Sequence, residues 1–323
     1  MNWLELSERI LRGERLACAE ALAILRSPDD ELLALLDAAF RVRRRYFKRG
    51  VRLHVIRNAR SGSCSEDCAY CSQSASAKGD APQYPWQSRE EIIAGAREAH
   101  RMDACRYCVV SSGRGPADAD ISRMCATVRA LKKEVPIQVC VSLGLLNGEQ
   151  ARRLKEAGVN RYNHNLETSE RFFPKICTTH TYADRVATVK AVKAAELELC
   201  CGGLLGLGET LEDRAALALA IRAAGADSIP VNFLDPRAGT PLEQHPRLAP
   251  ADALRALAMF RFANPDKEIR VAGGREACLG PLQALALYPA NSMFTNGYLT
   301  TEGQGYQADL AMIQAAGFTV DEI

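Results

Sequence analysis

From residue 50 onward the chain alternates short β-rich runs with Ala- and Leu-rich stretches of helical pattern, and this alternation restricts its fold most. Eight runs read as strands, at 53–59, 105–110, 137–142, 159–165, 197–203, 228–233, 269–274 and 291–296. Helical patterns lie between them, as at 89–100, 121–134, 148–158 and 182–196. Eight strands with intervening helices over about 250 residues predict a TIM-type (β/α)8 barrel of the α/β class. The loops after the strands would form one face, where barrel active sites lie.

Two segments fall outside this alternation. Residues 1–50 have helical patterns and are predicted to form an N-terminal helical extension packed against the barrel. The segment 300–323 reads as a Gly-rich loop followed by one helix, which would cover the barrel. Because no low-complexity linker interrupts the chain, residues 51–323 are expected to form a single domain, the barrel with its C-terminal cap.

Charge and cysteine content narrow the class of partner. The 323 residues carry 41 Lys and Arg against 39 Asp and Glu, and this balance gives no argument for nucleic acid or a membrane as partner. The N-terminus does not read as a secretory signal, so a cytoplasmic protein is expected. Twelve cysteines are too few for a disulfide scaffold, in which cysteine exceeds roughly 8%. In a reducing compartment they are metal-binding, catalytic or core residues.

A C-x3-C-x2-C run, Cys64, Cys68 and Cys71, follows the first predicted strand. Three thiolates at this spacing can bind three irons of a 4Fe-4S cluster, and the lack of a nearby fourth ligand leaves one iron open. Zinc sites normally present four ligands in two pairs, and no second pair of that kind follows. The plain alternative is three surface cysteines in a loop.

This run, with Tyr70 just before its third cysteine, resembles the radical S-adenosylmethionine (SAM) superfamily. The resemblance implies that the open iron binds the methionine amine and carboxylate of SAM, which is cleaved to a 5′-deoxyadenosyl radical, and that Tyr70 lies near the adenine. The later segment 202–210, with Gly202, Gly203 and Leu204, resembles the Gly-rich stretch beside the methionine. Alone it is weak evidence, because barrel loops commonly use glycine in turns.

Strand parity sorts the remaining cysteines. Side chains alternate between faces, so Cys108 and Cys105 point in opposite directions, and the C-x2-C at 105–108 cannot readily chelate one metal. Of the adjacent Cys200 and Cys201, only one can face the barrel interior.

Three strands thus offer an inward cysteine, Cys108, Cys140 and Cys200, and a fourth offers Arg270. A lone strand cysteine is usually a small core residue. Three at equivalent depth, together with an arginine that would otherwise be a costly buried charge, favour a site.

Several segments are similar, in order, to those of the biotin synthase family across roughly residues 50 to 300: CSEDCAYCSQSA, RYCVVSSG, QVCVSLG, NRYNHNLETS, TTHTY, CGGLLGLGET, PVNFLDPRAGTPL and IRVAGGRE. The resemblance implies a radical enzyme that converts dethiobiotin to biotin. It implies an auxiliary 2Fe-2S cluster, or a larger one, held by Cys108, Cys140, Cys200 and Arg270. A metal-bound guanidine would be exceptional, and a hydrogen-bonding role for Arg270 is the alternative.

The same resemblance assigns the small-molecule contacts. Asn165 and Asn232 match positions that hydrogen-bond the ureido ring of dethiobiotin, since an amide offers both donor and acceptor. Asn163 and Glu167 would lie near SAM, with ordinary strand-end polar residues as the alternative. Glu167 stands where relatives often have Asp, and its longer side chain would still reach a ribose hydroxyl.

The other cysteines and two histidines receive lesser roles. Cys201 follows Cys200 where the family often has serine. It either has no role at the site or allows a differently built auxiliary cluster if the strand bulges there. Cys18, Cys105, Cys125, Cys177 and Cys278 are interpreted as structural, and His164 and His180 as substrate-facing or loop-structuring residues.

The resemblance further implies that two SAM molecules and one cluster sulfide are consumed per biotin, with no side chain as acid or base catalyst. Implied partners are a flavodoxin- or ferredoxin-type reductant, the cluster-assembly machinery and a second copy in a homodimer. One alternative is a biotin synthase-like radical enzyme that matures hydrogenase or rearranges amino acids, although such relatives usually lack the three strand cysteines plus arginine. The other is a non-catalytic iron-sulfur or zinc protein.

Overall fold

A computed structural model describes residues 1–321, and at its centre parallel strands close into a barrel. The strands are β1 Gly50–Arg60, β2 Arg106–Ser111, β3 Gln138–Ser142, β4 Arg161–Asn163, β5 Glu198–Cys200, β6 Gly203–Leu205, β7 Ser228–Phe233, β8 Glu268–Val271, β9 Ser292–Phe294 and β10 Thr319–Val320. Pairing runs β1-β2-β3-β4-β5-β7-β8-β9, and β9 pairs back with β1. The predicted (β/α)8 barrel is confirmed.

Helices alternate with these strands and cover the barrel. They are α1 Trp3–Leu11, α2 Cys18–Leu25, α3 Leu32–Phe47, α4 Arg89–Arg101, α5 Asp118–Glu134, α6 Gly148–Glu156, α7 Tyr182–Ala194, α8 Leu211–Ala223, α9 Pro250–Ala263, α10 Arg275–Leu279 and α11 Tyr306–Ala315. Short 3-10 helices lie at Asp29–Glu31, Phe173–Lys175 and Gly280–Leu287.

Side-chain caps begin four of the barrel helices, and that of α6 pairs Asn147 with Gln150. Ser88, Thr181 and Thr210 each accept a hydrogen bond from the backbone N–H three residues later, at the start of α4, α7 and α8. In each case an acidic side chain at that later position reaches back to the cap residue's own N–H, which completes a capping box. These boxes fix where a strand-end loop stops and its helix starts.

The fifth strand position is divided in two, which corrects the prediction of one strand over 197–203. The carbonyl oxygen of Gly202 accepts hydrogen bonds from the N–H groups of Leu166 and Glu167, at 3.0 and 3.2 Å. The N–H of Leu204 donates to the carbonyl oxygen of Glu167, at 2.8 Å. The loop after β4 therefore takes the place of a strand partner here, and the chain resumes as β6 beside β7.

The N-terminal helices cover one side of the barrel. α1 packs on α3, while α2 and α3 pack on α9. From Ala253 to Ala263 every residue of α9 is buried, because the barrel lies on one side of this helix and the extension on the other. The Arg43 guanidinium of α3 donates to the carbonyl oxygens of Ala290 and Gly50, which joins the extension to the amino ends of β9 and β1.

The C-terminal segment contains a helix, as predicted, and also a strand that was not. α11 is followed by β10, which pairs in parallel with the start of β1 through Gly50–Thr319 and Val51–Val320. The last two residues of the predicted cap, 322 and 323, lie outside the described residues.

Candidate active site

The C-x3-C-x2-C run lies in the loop after β1. Cys64, Cys68 and Cys71 all line one cavity of about 200 Å³ at the carboxyl ends of the strands. The loop is held to the segment after β4: the N–H of Ala69 donates to the carbonyl oxygen of Ile176 at 2.9 Å. Three thiols are thus presented to one space by a loop with fixed backbone.

A second cavity, of about 370 Å³, extends into the barrel. Its walls include the four side chains predicted for an auxiliary cluster: Cys108, Cys140, Cys200 and Arg270. The two cavities adjoin, because four of the predicted residues line both: Cys71, Asn163, Asn165 and Glu167. The structure therefore places the loop thiols and the strand thiols in two adjoining cavities.

Strand register brings the inner thiols together. Cys108 of β2 is the register partner of Cys140 of β3, and the Arg270 guanidinium donates to the Cys200 sulfur at 3.7 Å. A hydrogen bond with Cys140 holds the pKa of Cys108 well below its ordinary value, against burial and with help from His54 and the Arg270 charge. Cys105 does not line the cavity; its sulfur lies 3.7 Å from the His54 ring.

A buried ionic cluster lies beneath these thiols. We call it the barrel-floor network: His54, Arg161, Ser228, Glu268 and Arg270. One Glu268 carboxylate oxygen, Oε1, accepts from Arg270 at 2.5 Å, Ser228 at 2.7 Å and Arg161 at 3.2 Å, and lies 3.1 Å from His54 Nε2. Burial would raise the pKa of Glu268, but the charges of Arg161, His54 and Arg270 hold it well below its ordinary value. The network holds the Arg270 guanidinium beside Cys200.

Removing the central charge of the barrel-floor network is expected to destabilise the protein strongly. Glu268→Gln leaves Arg270 as a buried charge without its carboxylate partner and leaves Arg161 with Glu198 alone, which costs about 3–5 kcal/mol of unfolding free energy. Urea denaturation of cluster-free protein measures this loss of unfolding free energy. The matched control is Glu134→Gln, whose side chain is 42% exposed and paired with the exposed Arg97, and which should cost less than about 1 kcal/mol.

The same variant has a pH signature. Because the pKa of Glu268 is lowered in the folded state, its stabilisation is fully present above about pH 4.3, its unfolded value, and is lost as pH falls through the lower folded value. Wild-type stability should therefore fall more steeply than that of Glu268→Gln below about pH 4.3. Parallel acid curves for the two proteins would contradict the central role of this carboxylate.

Two predicted substrate-binding amides also join strand ends. Asn165 Oδ1 accepts from the N–H of Gly202 at 3.1 Å. Asn232 donates to the carbonyl oxygen of Gly203 at 3.0 Å and accepts from the N–H of Gly273 at 2.9 Å. A primary amide has two donor hydrogens and two acceptor lone pairs, so each keeps a donor and an acceptor position for a ligand. Their role toward a substrate stays a prediction.

Glu167 lies at the boundary of the cavities in an unusual backbone conformation. Its φ of 69° falls in the left-handed region, which costs a non-glycine residue energy and is common at functional sites. Burial raises the pKa of its carboxyl group, against the charge of Arg185 at 3.6 Å. Tyr70 lines the deeper cavity, and burial raises the pKa of its phenol.

The predicted glycines lie where strands approach closely. A methyl group at Gly202 would overlap the Pro230 carbonyl oxygen, and one at Gly203 that of Glu167. Gly202→Ala is therefore expected to lower the unfolding free energy by about 1–3 kcal/mol in urea. At Gly148 an added Cβ meets nothing within 4 Å, so Gly148→Ala should change stability by less than about 1 kcal/mol. Equal stabilities of the two variants would contradict the close approach.

Comparison with known proteins relates this geometry to a family. Residues 59–221 match the model of the Radical SAM superfamily, and residues 230–319 match that of the Biotin and Thiamin Synthesis associated domain. A biotin synthase of Salinibacter ruber is 52% identical over 98% of this chain and 88% of its own length. One of Geobacillus thermodenitrificans is 50% identical over 99% of this chain and 96% of its own. The chain belongs to the biotin synthase family.

Solved structures agree on the fold of this biotin synthase family member. Methylornithine synthase superposes with a TM-score of 0.86 at 19% identity, covering 98% of this chain and 97% of its own. The FeFe-hydrogenase maturase of Carboxydothermus hydrogenoformans gives 0.83 at 17% identity, covering 98% and 79%. At such identities the likeness shows the fold alone.

Membership of the radical SAM superfamily implies a 4Fe-4S cluster and SAM as cofactors. The loop thiols suit a multi-iron cluster better than a single ion. Within residues 1–321, the one trio of donors whose atoms all lie within 4.8 Å of one another is Glu66, Cys177 and His180. Cys64, Cys68 and Cys71 are spread more widely, as a cluster of several irons requires.

Two groups near the site were missed by sequence reasoning. Cys177 was interpreted as structural and His180 as substrate-facing or loop-structuring, yet both converge on Glu66; the C-x2-H spacing at 177–180 was an available signal. Glu268 and Arg161 were not singled out: Arg161 lies in the predicted strand 159–165, and Glu268 directly precedes the predicted strand 269–274.

In this biotin synthase family member Cys201 lies in the hydrophobic core rather than in the cavity. Cys201 is fully buried in the hydrophobic core, and its N–H donates to the Ser228 carbonyl oxygen at 2.9 Å, while its neighbour Cys200 lines the cavity. Across residues 1–321, no helix combines the length and apolar character needed to span a membrane.

Proposed function

We propose that this chain converts dethiobiotin to biotin by radical sulfur insertion, with Cys64, Cys68 and Cys71 as ligands of the radical-generating cluster. The single observation that carries the proposal is that the cavity of these loop thiols adjoins a deeper cavity lined by a second set of thiols. A non-catalytic iron-sulfur protein has no use for two such adjoining cavities. The relatives' biotin synthase activity agrees with it.

When bound, the loop cluster and SAM supply a 5′-deoxyadenosyl radical, and the auxiliary cluster supplies the sulfur atom. Such a cofactor is needed because an unactivated C–H bond is beyond side-chain acid or base chemistry. The chain's own residues bind, orient and shield the reactants. No side chain is proposed as acid or base catalyst.

We propose that SAM contacts the wall shared by both cavities. Asn163 and Glu167 lie on that wall, and the Tyr70 ring and Leu204 line the deeper side. Gly202 and Gly203 contribute backbone, because their lack of side chains lets the strands approach. The Asn163 amide donates to Ser142 at 3.3 Å, which fixes its orientation toward the cavities.

The auxiliary cluster is proposed at Cys108, Cys140, Cys200 and Arg270. These residues fit a metal cluster on two observations besides their common cavity. Within the described chain, the Arg270 Nε is buried with no hydrogen-bond partner, and Cys108 and Cys140 lie side by side as register partners on neighbouring strands. Four protein ligands suit a 2Fe-2S cluster and equally a 4Fe-4S cluster, so the size of the auxiliary cluster stays open.

We propose that dethiobiotin lies between the two thiol sets, with its ureido ring at Asn165 and Asn232. Both amides line the deeper cavity and keep free hydrogen-bonding capacity. Thr300, Thr301 and Arg237 line the same cavity and offer donors to the substrate carboxylate. Holding the reactants in line and excluding water and stray hydrogen donors is the protein's contribution to rate.

Further parts of the proposal follow from this chemistry. Reductive cleavage of SAM needs an electron donor, here a flavodoxin- or ferredoxin-type protein, and consumption of cluster sulfur needs the cluster-assembly machinery. We propose that the chain acts in the cytoplasm as a homodimer. Residues 1–50 are proposed as a helical extension and residues 51–323 as one catalytic domain.

The test is anaerobic reconstitution with iron and sulfide, followed by incubation with dethiobiotin, SAM and a reductant. Biotin and 5′-deoxyadenosine are both expected, measured by mass spectrometry. Formation of 5′-deoxyadenosine without biotin would overturn the substrate assignment and leave the superfamily chemistry. Formation of neither by protein with a full 4Fe-4S cluster would overturn the proposed reaction.

A further inference from the structure

A second cluster of metal-binding side chains lies beside the C-x3-C-x2-C loop. Glu66 comes from that loop, while Cys177 and His180 come from the segment before α7; their donor atoms lie within 4.8 Å of one another. All three are more than nine-tenths buried. The Cys68 sulfur lies 3.9 Å from that of Cys177. Three donors from two segments therefore surround one point, and a fourth, the Cys68 sulfur, lies beside one of them.

Hydrogen bonds link the three side chains. The His180 Nδ1 lies 3.2 Å from the Cys177 sulfur and also contacts Glu66 Oε2. One ring nitrogen carries at most one proton, so it cannot donate fully to both. A carboxylate, an imidazole and a thiol that converge on one point, buried from water, are a donor set that a zinc ion can bind when it displaces these protons.

The sulfur–sulfur spacing suits zinc, whereas Glu66 Oε2 and His180 Nδ1 lie in hydrogen-bond contact and would separate around the ion. Zn–S bonds of about 2.3 Å in a tetrahedron place two sulfur ligands about 3.8 Å apart, close to the 3.9 Å between Cys68 and Cys177. Sulfur, imidazole and carboxylate are all zinc ligands. The Thr179 hydroxyl donates to Glu66 Oε2 at 2.7 Å, which orients this carboxylate as outer-sphere partners of zinc sites commonly do.

We propose that the cluster-free chain binds one zinc ion through Cys68, Cys177, His180 and Glu66, and that this zinc and the 4Fe-4S cluster exclude each other. Exclusion follows because the zinc ion and the 4Fe-4S cluster both need the Cys68 sulfur. The exclusion rests on the ligand role of Cys68 in the proposed function. The zinc site itself does not depend on that function. It makes Cys68 the residue for which the two metals compete.

Zinc binding to cluster-free protein tests the site. After incubation with zinc chloride and removal of loosely held metal by a weak chelator, elemental analysis should give about one zinc per chain. Cys177→Ser and His180→Asn, which keep size and polarity, should each weaken binding more than about tenfold. Cys278→Ser is the matched control, since Cys278 and Cys177 are both 4% exposed, and should retain zinc.

Circular dichroism first establishes that each variant is folded. Because the two substitutions affect separate ligands, one folded variant still tests the site if the other does not fold. Wild-type zinc affinity in folded Cys177→Ser and His180→Asn would overturn the site. That result would assign any bound zinc to Cys64, Cys68 and Cys71 alone.

Competition tests the exclusion. Wild-type protein preloaded with zinc should assemble less 4Fe-4S cluster from iron and sulfide than zinc-free protein, followed by visible absorbance and electron paramagnetic resonance. Cys177→Ser should assemble equal amounts with and without zinc. Equal assembly by zinc-loaded and zinc-free wild type would overturn the exclusion. A zinc-free protein that assembles its cluster yet makes no biotin would instead contradict the proposed function and leave the zinc site intact.

Discussion

Cys140→Ser should stop biotin formation while 5′-deoxyadenosine is still produced. Cys140 lies deep in the barrel as the register partner of Cys108 and lines only the deeper of the two cavities. A serine hydroxyl is a poor replacement for a thiolate ligand, so the proposed auxiliary cluster loses one of its ligands. Biotin yield should fall more than about 100-fold, with both products quantified by mass spectrometry in one reaction.

A buried thiol elsewhere controls for the loss of a sulfur atom. Cys125 on α5 is also buried, and its thiol donates to the Arg153 carbonyl oxygen, so Cys125→Ser should change neither product. Biotin formation by Cys140→Ser at the wild-type level would show that the strand thiols hold no sulfur donor. Loss of both products would show that the two sites are not separable.

Cys71→Ser should abolish both products. Cys71 is the third residue of the loop run and lines both cavities, so its loss removes one of the three proposed ligands of the radical-generating cluster. Without that cluster SAM is not cleaved, and 5′-deoxyadenosine should fall more than about 100-fold. Iron content and the electron paramagnetic resonance signal of the reduced protein report cluster loss independently of turnover.

The control for this variant is Cys18→Ser, an exposed thiol on α2 that should leave iron content and both products unchanged. Substantial 5′-deoxyadenosine from Cys71→Ser would remove this residue from the set of cluster ligands. Retention of the spectroscopic signal with loss of product would instead assign Cys71 to the binding of SAM.

Local patterns were enough to predict the barrel and the main thiols. Alternating strand and helix signals predicted eight strand positions, and strand parity predicted that Cys108 and Cys105 point in opposite directions. The sequence could not predict the division of β5 from β6, because it depends on hydrogen bonds between Gly202 and Glu167, which lie in different βα units.

The charged and metal-binding clusters were hidden for the same reason. His54 and Glu268 meet only because β1 and β8 both point side chains into a closed barrel. Glu66 meets Cys177 and His180 only because the loop after β1 is held against the segment after β4. Such pairs lie far apart in the chain, and neither residue's type reveals its partner.

The pairing of β1 with β9 has a consequence for biosynthesis. At about 5–20 residues per second, a ribosome needs roughly 10 to 50 s between completing β1 and reaching β9. During that interval β1 has an unpaired edge, and α2 and α3 lack α9, the helix they pack on. Unpaired edges and uncovered apolar surface favour aggregation. The nascent chain should therefore depend on chaperones until residue 294 has left the ribosome, and only then can a barrel able to receive iron and sulfide close.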